Sequence, residues 1–501
     1  MCSSLKAHFA WAIGLCLTLG ACSDSNNDRD GDNSATAILC ANEGSAVESS
    51  RLFLQQLTAT SVIVKWRGEG EGVCFAEDAS QLADFTAATV TEADHKEVLL
   101  EGLSADTLYY YGLGDNRNGS TEQAFRTAPV TGEPPASGLI RILVVGDSGT
   151  ASPSVEENIP DAFNGSVLSY EGFQQYNNYR PLDLFLMLGD NAYEDGTDEE
   201  YQSAVFDLYA DLLNKTPLWP TIGNHEMGIG DLVIGGNVVL TGSGFNVATS
   251  IDGYRADADD PGSRAPYIDI FTLPTNGEAG GVPSGTEQYF SLDYGNVHIV
   301  SLDSQISARD TDARDAMLDW LESDLSTNML DWTIVIFHHP PYSKGSHGSD
   351  TTDFLVGIGI DQPMVDMRVE FTPVFEAYGV DLVYSGHSHS YERSAYIHNH
   401  TGDSDTFDPG IHAELNDNGE IASGQDEESY SQVSRSGSDD KVVYTVAGST
   451  GKVSDAALDH PAHVAGFVEL GSVLIEAGAS EMTATFINDK GAVQDYVTIT
   501  R

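Results

Sequence analysis

Ile140-Arg141-Ile142-Leu143-Val144-Val145-Gly146-Asp147-Ser148-Gly149 is an apolar run that stops on a Gly-Asp turn. A run this short, rich in β-branched residues and closed by glycine, reads as a buried strand. The same figure recurs downstream. Leu182 to Leu188 runs into Gly189-Asp190-Asn191-Ala192-Tyr193, and Leu218 to Ile222 into Gly223-Asn224-His225-Glu226. Trp332 to Phe337 meets His338-His339-Pro340-Pro341-Tyr342, and Val380 to Tyr384 leads to Gly386-His387-Ser388-His389. Helical stretches lie between them, such as Ala313 to Leu325, where Met317, Leu318, Leu321 and Leu325 make one apolar face.

Ligand-binding loops of open α/β sheets gather beyond the carboxyl ends of the strands, so these five loops are expected to converge. Together Asp147, Asp190, Asn224, His338, His387 and His389 offer three imidazoles, two carboxylates and one amide, a donor set for two metal ions. Imidazole with carboxylate suits Zn, Fe or Mn, and Tyr193 can add a phenolate, which favours ferric iron.

Outward from this core, Tyr289 to Leu292 and Val297 to Leu302 suggest a hairpin around Asp293 to Asn296. The pattern after Lys441 is again β: Val442 to Val446, Ser472 to Glu476 and Met482 to Ile487. Residues 139–501 therefore read as a mixed two-sheet α/β sandwich. Two acidic insertions interrupt it, Gly253 to Arg264 and a longer one at about 399–441. In the longer one, Thr401 to Asp440 holds eleven acidic residues against the single base Arg435. Both are expected to be solvated surface loops.

Residues 37–129 read as an all-β, fibronectin-III-like sandwich. Val62, Val64 and Trp66 share one face at period two, and the turn at Leu103 to Asp106 feeds the Tyr-rich strand Leu108 to Tyr111. Residues 130–138, with Pro134-Pro135, form the linker between the two modules.

At the N-terminus, Lys6 followed by the apolar run Phe9 to Leu19 reads as a signal peptide over residues 1–21. Leu19-Gly20-Ala21-Cys22 resembles the lipobox of bacterial lipoproteins, and 22–36 would be an acidic flexible tether. The expectation is an exported cell-envelope lipoprotein, periplasmic or at the cell surface, touching membrane through a lipid on Cys22. The alternative is an ordinary signal peptide, with the chain secreted. Of the five cysteines, Cys40 and Cys74 would remain. In an exported chain that pair invites a disulfide, the alternative being two buried thiols.

The 501 residues carry 77 acidic and 23 basic side chains, a formal net charge of −54. Hydrophobic content of 41% supports a sizeable core. No basic stripe is present, so nucleic-acid binding is not expected.

The five motifs resemble those of the calcineurin-like metallophosphoesterases, and specifically the purple acid phosphatases of plant type, which also carry an N-terminal fibronectin-like domain. The family's GDxG, GDxxY, GNH[DE], VxxH and GHxH stand here as Gly146 to Gly149, Gly189 to Tyr193, Gly223 to Glu226, Val335 to His338 and Gly386 to His389. The resemblance implies that Asp147, Tyr193 and His389 bind Fe(III). It further implies that Asn224, His338 and His387 bind a divalent Zn, Fe or Mn, and that Asp190 bridges the two. His225 would sit beside the substrate. His347 matches the first of two adjacent family histidines, whereas Gly348 stands in place of the second.

The activity so implied is hydrolysis of small phosphate monoesters, with a metal-bound hydroxide attacking phosphorus in line and His225 stabilising or protonating the leaving group. Rival readings are a phosphodiesterase or nucleotide pyrophosphatase/nucleotidase on the same scaffold and, remotely, a non-catalytic surface-binding lipoprotein. The acidic chain would repel anionic esters at long range. That field fades over ~3 Å at 1 M salt, which suggests a marine or halophilic setting.

Overall fold

The N-terminal β pattern closes as two four-stranded antiparallel sheets. One has the order Ser49–Gln55, Ser61–Gly68, Lys96–Glu101, Thr89–Val90, and the other Asp84–Ala87, Gly72–Ala76, Leu108–Leu113, Ala124–Arg126. The computed structural model describes residues 40, 47–149, 165–227, 232–234, 237–240, 265–305, 308, 310–357, 359–432 and 441–501. The expected signal peptide, tether and Gly253 to Arg264 insertion lie outside the described residues. Cys40 and Cys74 are disulfide-bonded, which ties the start of the module to one of its inner strands. At the turn before the Tyr-rich strand, the Ser104 amide donates to the Tyr109 hydroxyl at 3.0 Å.

Val62, Val64 and Trp66 are fully buried, but so are the intervening Ile63 and Lys65. The alternation that should leave one face wet fails because the second module covers it. Lys65 Nζ donates to Thr272 Oγ1 at 2.8 Å, and Phe53 packs 5.0 Å from Phe206 and 6.2 Å from Phe271. Arg51 and Arg67 both fork onto the Asp198 carboxylate at 2.7–2.8 Å. The two modules share one apolar core.

The larger module stacks two seven-stranded mixed sheets. In one, Leu218–Pro220, Leu184–Met187 and Ile140–Val145 run parallel and then meet Gly471–Ala477, Glu481–Asn488, Val493–Thr500 and Tyr430–Ser431. In the other, Val297–Ser301, Trp332–Ile336, Leu382–Ser385 and Val442–Ala447 run parallel between the Phe290–Tyr294 edge and the Tyr391–Ile397 and His463–Phe467 strands. Period-two alternation assigns the faces. Ile299, Ile334, Ile336, Leu382 and Tyr384 join the core shared with the first sheet, whereas Val300, Val335 and Val383 meet Met317, Leu321 and Leu325 of the Thr311–Thr327 helix. Asp310 caps that helix by accepting from the Asp312 and Ala313 amides at 3.1 Å.

Two expectations are corrected here. Leu318 packs against this core but is only half-buried, and Trp320 and Asp324 join the inner face. Apolar periodicity misses Asp324 because its burial is polar: it accepts from Val282 N and Ser291 Oγ and pairs with His298 at 2.7–2.8 Å. The longer acidic insertion is not merely a solvated loop. Phe407, Ala422 and Tyr430 are buried, Tyr430–Ser431 extends a sheet edge, and Asp403 pairs with buried Arg368 at 3.0 Å. These contacts anchor an acidic segment whose composition alone reads as solvent-facing.

Candidate metal centre

Each candidate ligand sits where a parallel strand stops and the chain must turn. Asp147, Asp190 and His387 have φ of 53°, 51° and 68°, in the left-handed region, a conformation that costs non-glycine residues on the order of 1–3 kcal/mol each. Hydrogen bonds hold them there. The His387 amide donates to Asp147 Oδ2 at 2.8 Å, and the Asp190 amide to Glu226 Oε2 at 2.8 Å. Gly189, with φ 88°, must be glycine for a second reason: a Cβ there would stand 2.7 Å from His338 Nδ1.

The donor atoms fall into two groups that share one residue. In the first, the Tyr193 hydroxyl lies 3.0 Å from Asp147 Oδ1, 3.2 Å from Asp190 Oδ2 and 3.5 Å from His389 Nε2. His389 Nε2 is in turn 3.6 Å from Asp147 Oδ1. In the second, His338 Nε2 lies 3.0 Å from Asn224 Oδ1 and 3.3 Å from Asp190 Oδ1. Ligands at the usual ~2.0–2.2 Å from one ion stand about 3–3.5 Å apart, so both groups have the spacing of a coordination shell. Asp190 offers one oxygen to each.

The histidines are oriented for this use by their second nitrogens. His338 Nδ1 donates to the Leu188 carbonyl at 2.9 Å, leaving Nε2 directed at Asn224 and Asp190. His387 Nε2 donates to Asp361 Oδ1 at 3.0 Å, leaving Nδ1 as its free donor, with the ring 5.1 Å from that of His338. His389 Nδ1 is 3.3 Å from Ser454 Oγ. Burial, with the neighbouring histidines, pushes His387 down to about 3, and burial with Lys452 pushes His389 well down. Both are therefore neutral imidazoles, the form that binds metal.

Burial pushes the Asp147 carboxyl up, with Asp190 adding to the rise. Asp190 keeps its charge because His338 and His225 face it and outweigh its own burial. Burial and these two carboxylates raise the Tyr193 phenol well above its usual range. His338 differs from His387 and His389: burial would lower it, but Asp190 and Asp147 outweigh that and raise it to about 9. Two buried acids, a buried phenol, the neutral imidazoles of His387 and His389, and a His338 whose proton a cation could replace are what bound cations would stabilise, so the residues fit a dinuclear centre.

His225 also stands at the site. Its Nδ1 donates to the Glu194 carbonyl at 2.6 Å, its Nε2 lies 3.7 Å from Asp190 Oδ2, and its ring packs edge-on 4.4 Å from Tyr193. The His347 ring packs tilted against that of His387, centroids 4.0 Å apart, and bonds Asp361 through Nδ1 at 3.0 Å. No second histidine could follow it without rearrangement, because a Cβ on Gly348 would strike the Asp353 carboxylate.

All nine residues named from the sequence are thus brought together, and four more stand with them. Asp361, fully buried, joins His347 to His387. Burial would raise its carboxyl, but the two imidazoles outweigh that and hold it below the usual range. Glu226 is fully buried and accepts from the amides of Gly223, Asp190 and Asn191 at 2.7–2.8 Å, which buttresses the Asp190 turn. Glu392 clasps Ser343, the Lys344 amide and Ser390. Lys452 Nζ stands 4.2 Å above the Tyr193 ring. The fourth position of GNH[DE] already pointed to Glu226, whereas Asp361 and Lys452 lie in loops without periodicity or motif. His339 is also close, its ring 4.4 Å from that of His387, with Nδ1 engaged by Ser304 Oγ at 2.9 Å.

A fold of two stacked mixed sheets, with carboxylates and imidazoles at the strand ends, defines a dimetal phosphoesterase architecture. The calcineurin-like phosphoesterase family matches residues 140–391, and the chain belongs to that family. It is 27% identical over 330 residues to purple acid phosphatase 15 of Arabidopsis thaliana, covering 60% of this chain and 50% of that protein. To purple acid phosphatase 1 of Ipomoea batatas it is 26% identical over 307 residues, covering 60% of this chain and 52% of that protein. The chain thus spans about half the length of these relatives. The fold is also that of the purple acid phosphatase PPD1 from yellow lupin seeds, with a TM-score of 0.62 at 18% identity over 91% of this chain and 75% of that one.

Proposed function

We propose that this chain hydrolyses phosphate monoesters at a dinuclear centre. The observation that carries the reading is the division of Asp190, whose Oδ2 faces Tyr193 and whose Oδ1 faces His338. Asp147, Tyr193 and His389 would hold Fe(III), and Asn224, His338 and His387 a divalent Zn, Fe or Mn. Two ions held there would supply charge neutralisation for the phosphoryl oxygens and a water of lowered pKa as nucleophile.

The chain's own groups do the rest. Asp361 fixes the His387 ring, and Glu226 fixes the turn that presents Asp190. His225 commits Nδ1–H to the Glu194 carbonyl, so its Nε2 is the atom that can carry a proton to the leaving alkoxide. His347, with Nδ1 held by Asp361, has Nε2 available for a phosphoryl oxygen. Export and a lipid anchor on Cys22 complete the proposal, which places the enzyme on the cell envelope.

Metal analysis combined with a panel of aryl phosphate and bis-aryl phosphate tests it. The expected result is about two metals per chain, visible absorption from tyrosinate on ferric iron, and preference for the monoester. Colourless active protein would assign Zn or Mn instead. Preference for the diester would assign a phosphodiesterase, and no hydrolysis of either would overturn the reading.

A further inference from the structure

We infer that Lys452 is an anion-gripping residue of this site, one that holds the phosphoryl group of the substrate and of the inorganic phosphate product. The inference rests on the hydrolase reading above and adds a substrate contact that none of the five motifs contains.

Its backbone is fixed against the metal centre from both sides. The Thr450 amide donates to the Gly146 carbonyl at 3.3 Å and the Gly451 amide to the Asp147 carbonyl at 3.1 Å. On the far side the Ser454 amide donates to the His389 carbonyl at 3.1 Å, and Ser454 Oγ lies 3.3 Å from His389 Nδ1. Lys452 is therefore held between segments bonded to Asp147 and His389.

Its side chain is partly exposed and ends over the face of Tyr193, a residue only 2% exposed whose hydroxyl touches both Asp147 and Asp190. The ammonium thus stands at the edge where solvent meets the donor cluster. Lys344 and Lys441, in the same module, pair with Asp350 and Glu414 at 2.7 and 3.0 Å. Among the described residues no carboxylate lies within 4.0 Å of Lys452 Nζ. In a chain with 77 acidic and 23 basic residues, a lysine spared an acidic partner beside the site is the exception.

The chemistry fits an anion. A partly exposed cation–π contact is weaker than a charge-assisted hydrogen bond to a phosphoryl oxygen, so an arriving ester would draw the ammonium off the ring. The four-carbon stem allows that swing, and the ring receives the ammonium again when phosphate leaves. A local positive charge also offsets, at short range, the repulsive field of the acidic chain.

Lys452→Met keeps the stem and removes the charge, and Lys452→Arg keeps the charge. In metal-loaded full-length protein, Lys452→Met should weaken inorganic phosphate binding, read by titration calorimetry, and raise KM for aryl phosphate, each about tenfold. kcat should stay within about threefold, and Lys452→Arg should recover most of the loss. Metal content should equal that of the parent. Unchanged phosphate affinity in Lys452→Met, with or without a shift in visible absorption, overturns the inference, as does loss of metal from that variant. A parent that binds no phosphate and hydrolyses no ester overturns the hydrolase reading and this inference with it; a parent that does both while Lys452→Met matches it overturns this inference alone.

Discussion

Asp361 accepts a hydrogen bond from Nε2 of His387 at 3.0 Å. That bond leaves the Nδ1 lone pair of His387 for a metal, and the same carboxylate takes Nδ1 of His347. Asp361→Asn would let the imidazole choose its other tautomer. Affinity for one of the two metals should fall on the order of 10–100-fold while the other is retained, measured as metal content after graded chelator dialysis. Equal loss of both ions would contradict the division of donors described here.

Asn224→Ala or His387→Ala should abolish most hydrolysis with the fold intact by circular dichroism. His225→Ala should instead lower kcat on the order of 10²-fold and leave metal content unchanged, since its Nε2 lies 3.7 Å from the Asp190 carboxylate without sharing an acceptor with His338. Metal loss in His225→Ala would make it a ligand.

One carboxylate ties together the two arginines at the interface between the modules. The Arg51 side chain is 1% exposed and is matched, with Arg67, to Asp198, which is 45% exposed. Asp198→Ala leaves two guanidiniums facing each other, one of them buried. A loss of about 1–3 kcal/mol is expected, less than for a fully buried pair because Asp198 is half in solvent. Thermal unfolding of parent and variant measures it, and an unchanged Tm would show that the apolar contacts at Phe53 suffice.

His298 lies between Asp293 and Asp324 at 2.8 Å from each. Burial alone would lower it, but the two carboxylates outweigh that and raise it to about 9. A raised folded value means the contribution is complete below the unfolded value of ~6.5 and disappears as pH rises through about 9. The stability difference between parent and His298→Gln should therefore be largest near pH 6, on the order of 3 kcal/mol, and shrink by pH 10. A difference that grows with pH would refute the charged pairing.

The net charge of −54 gives a salt prediction. Raising salt from low to ~1 M screens the repulsion between chain and ester, so kcat/KM should hold or rise. If kcat/KM and stability fall together, the acidic surface is no adaptation to salt.

Much of the site was legible because each donor lies in the loop that follows a strand, so motif and topology report the same place. Asp147, Asp190 and His387 follow apolar runs that end at Val145, Met187 and Ser385 in the structure. Asp361 was not legible: it reaches His387 from an irregular loop 26 residues away in sequence. Lys452 follows a strand, but lysine in a loop usually means solvent. The burial of Lys65 was hidden for a different reason. A strand's own period tells which residues share a face, but not that a second module will cover the other one.

The left-handed backbone at Asp147, Asp190 and His387 sets function against durability. Each of these turns would be easier for glycine to adopt, and Asp147 and Asp190 also bring acidic groups into a dry interior. Substituting glycine at Asp147 would relieve both costs at once, so the inactive protein could outlast the active one on heating. Selection for thermal persistence alone would erode this centre from its strand ends inward, and bound cations would make keeping it tolerable.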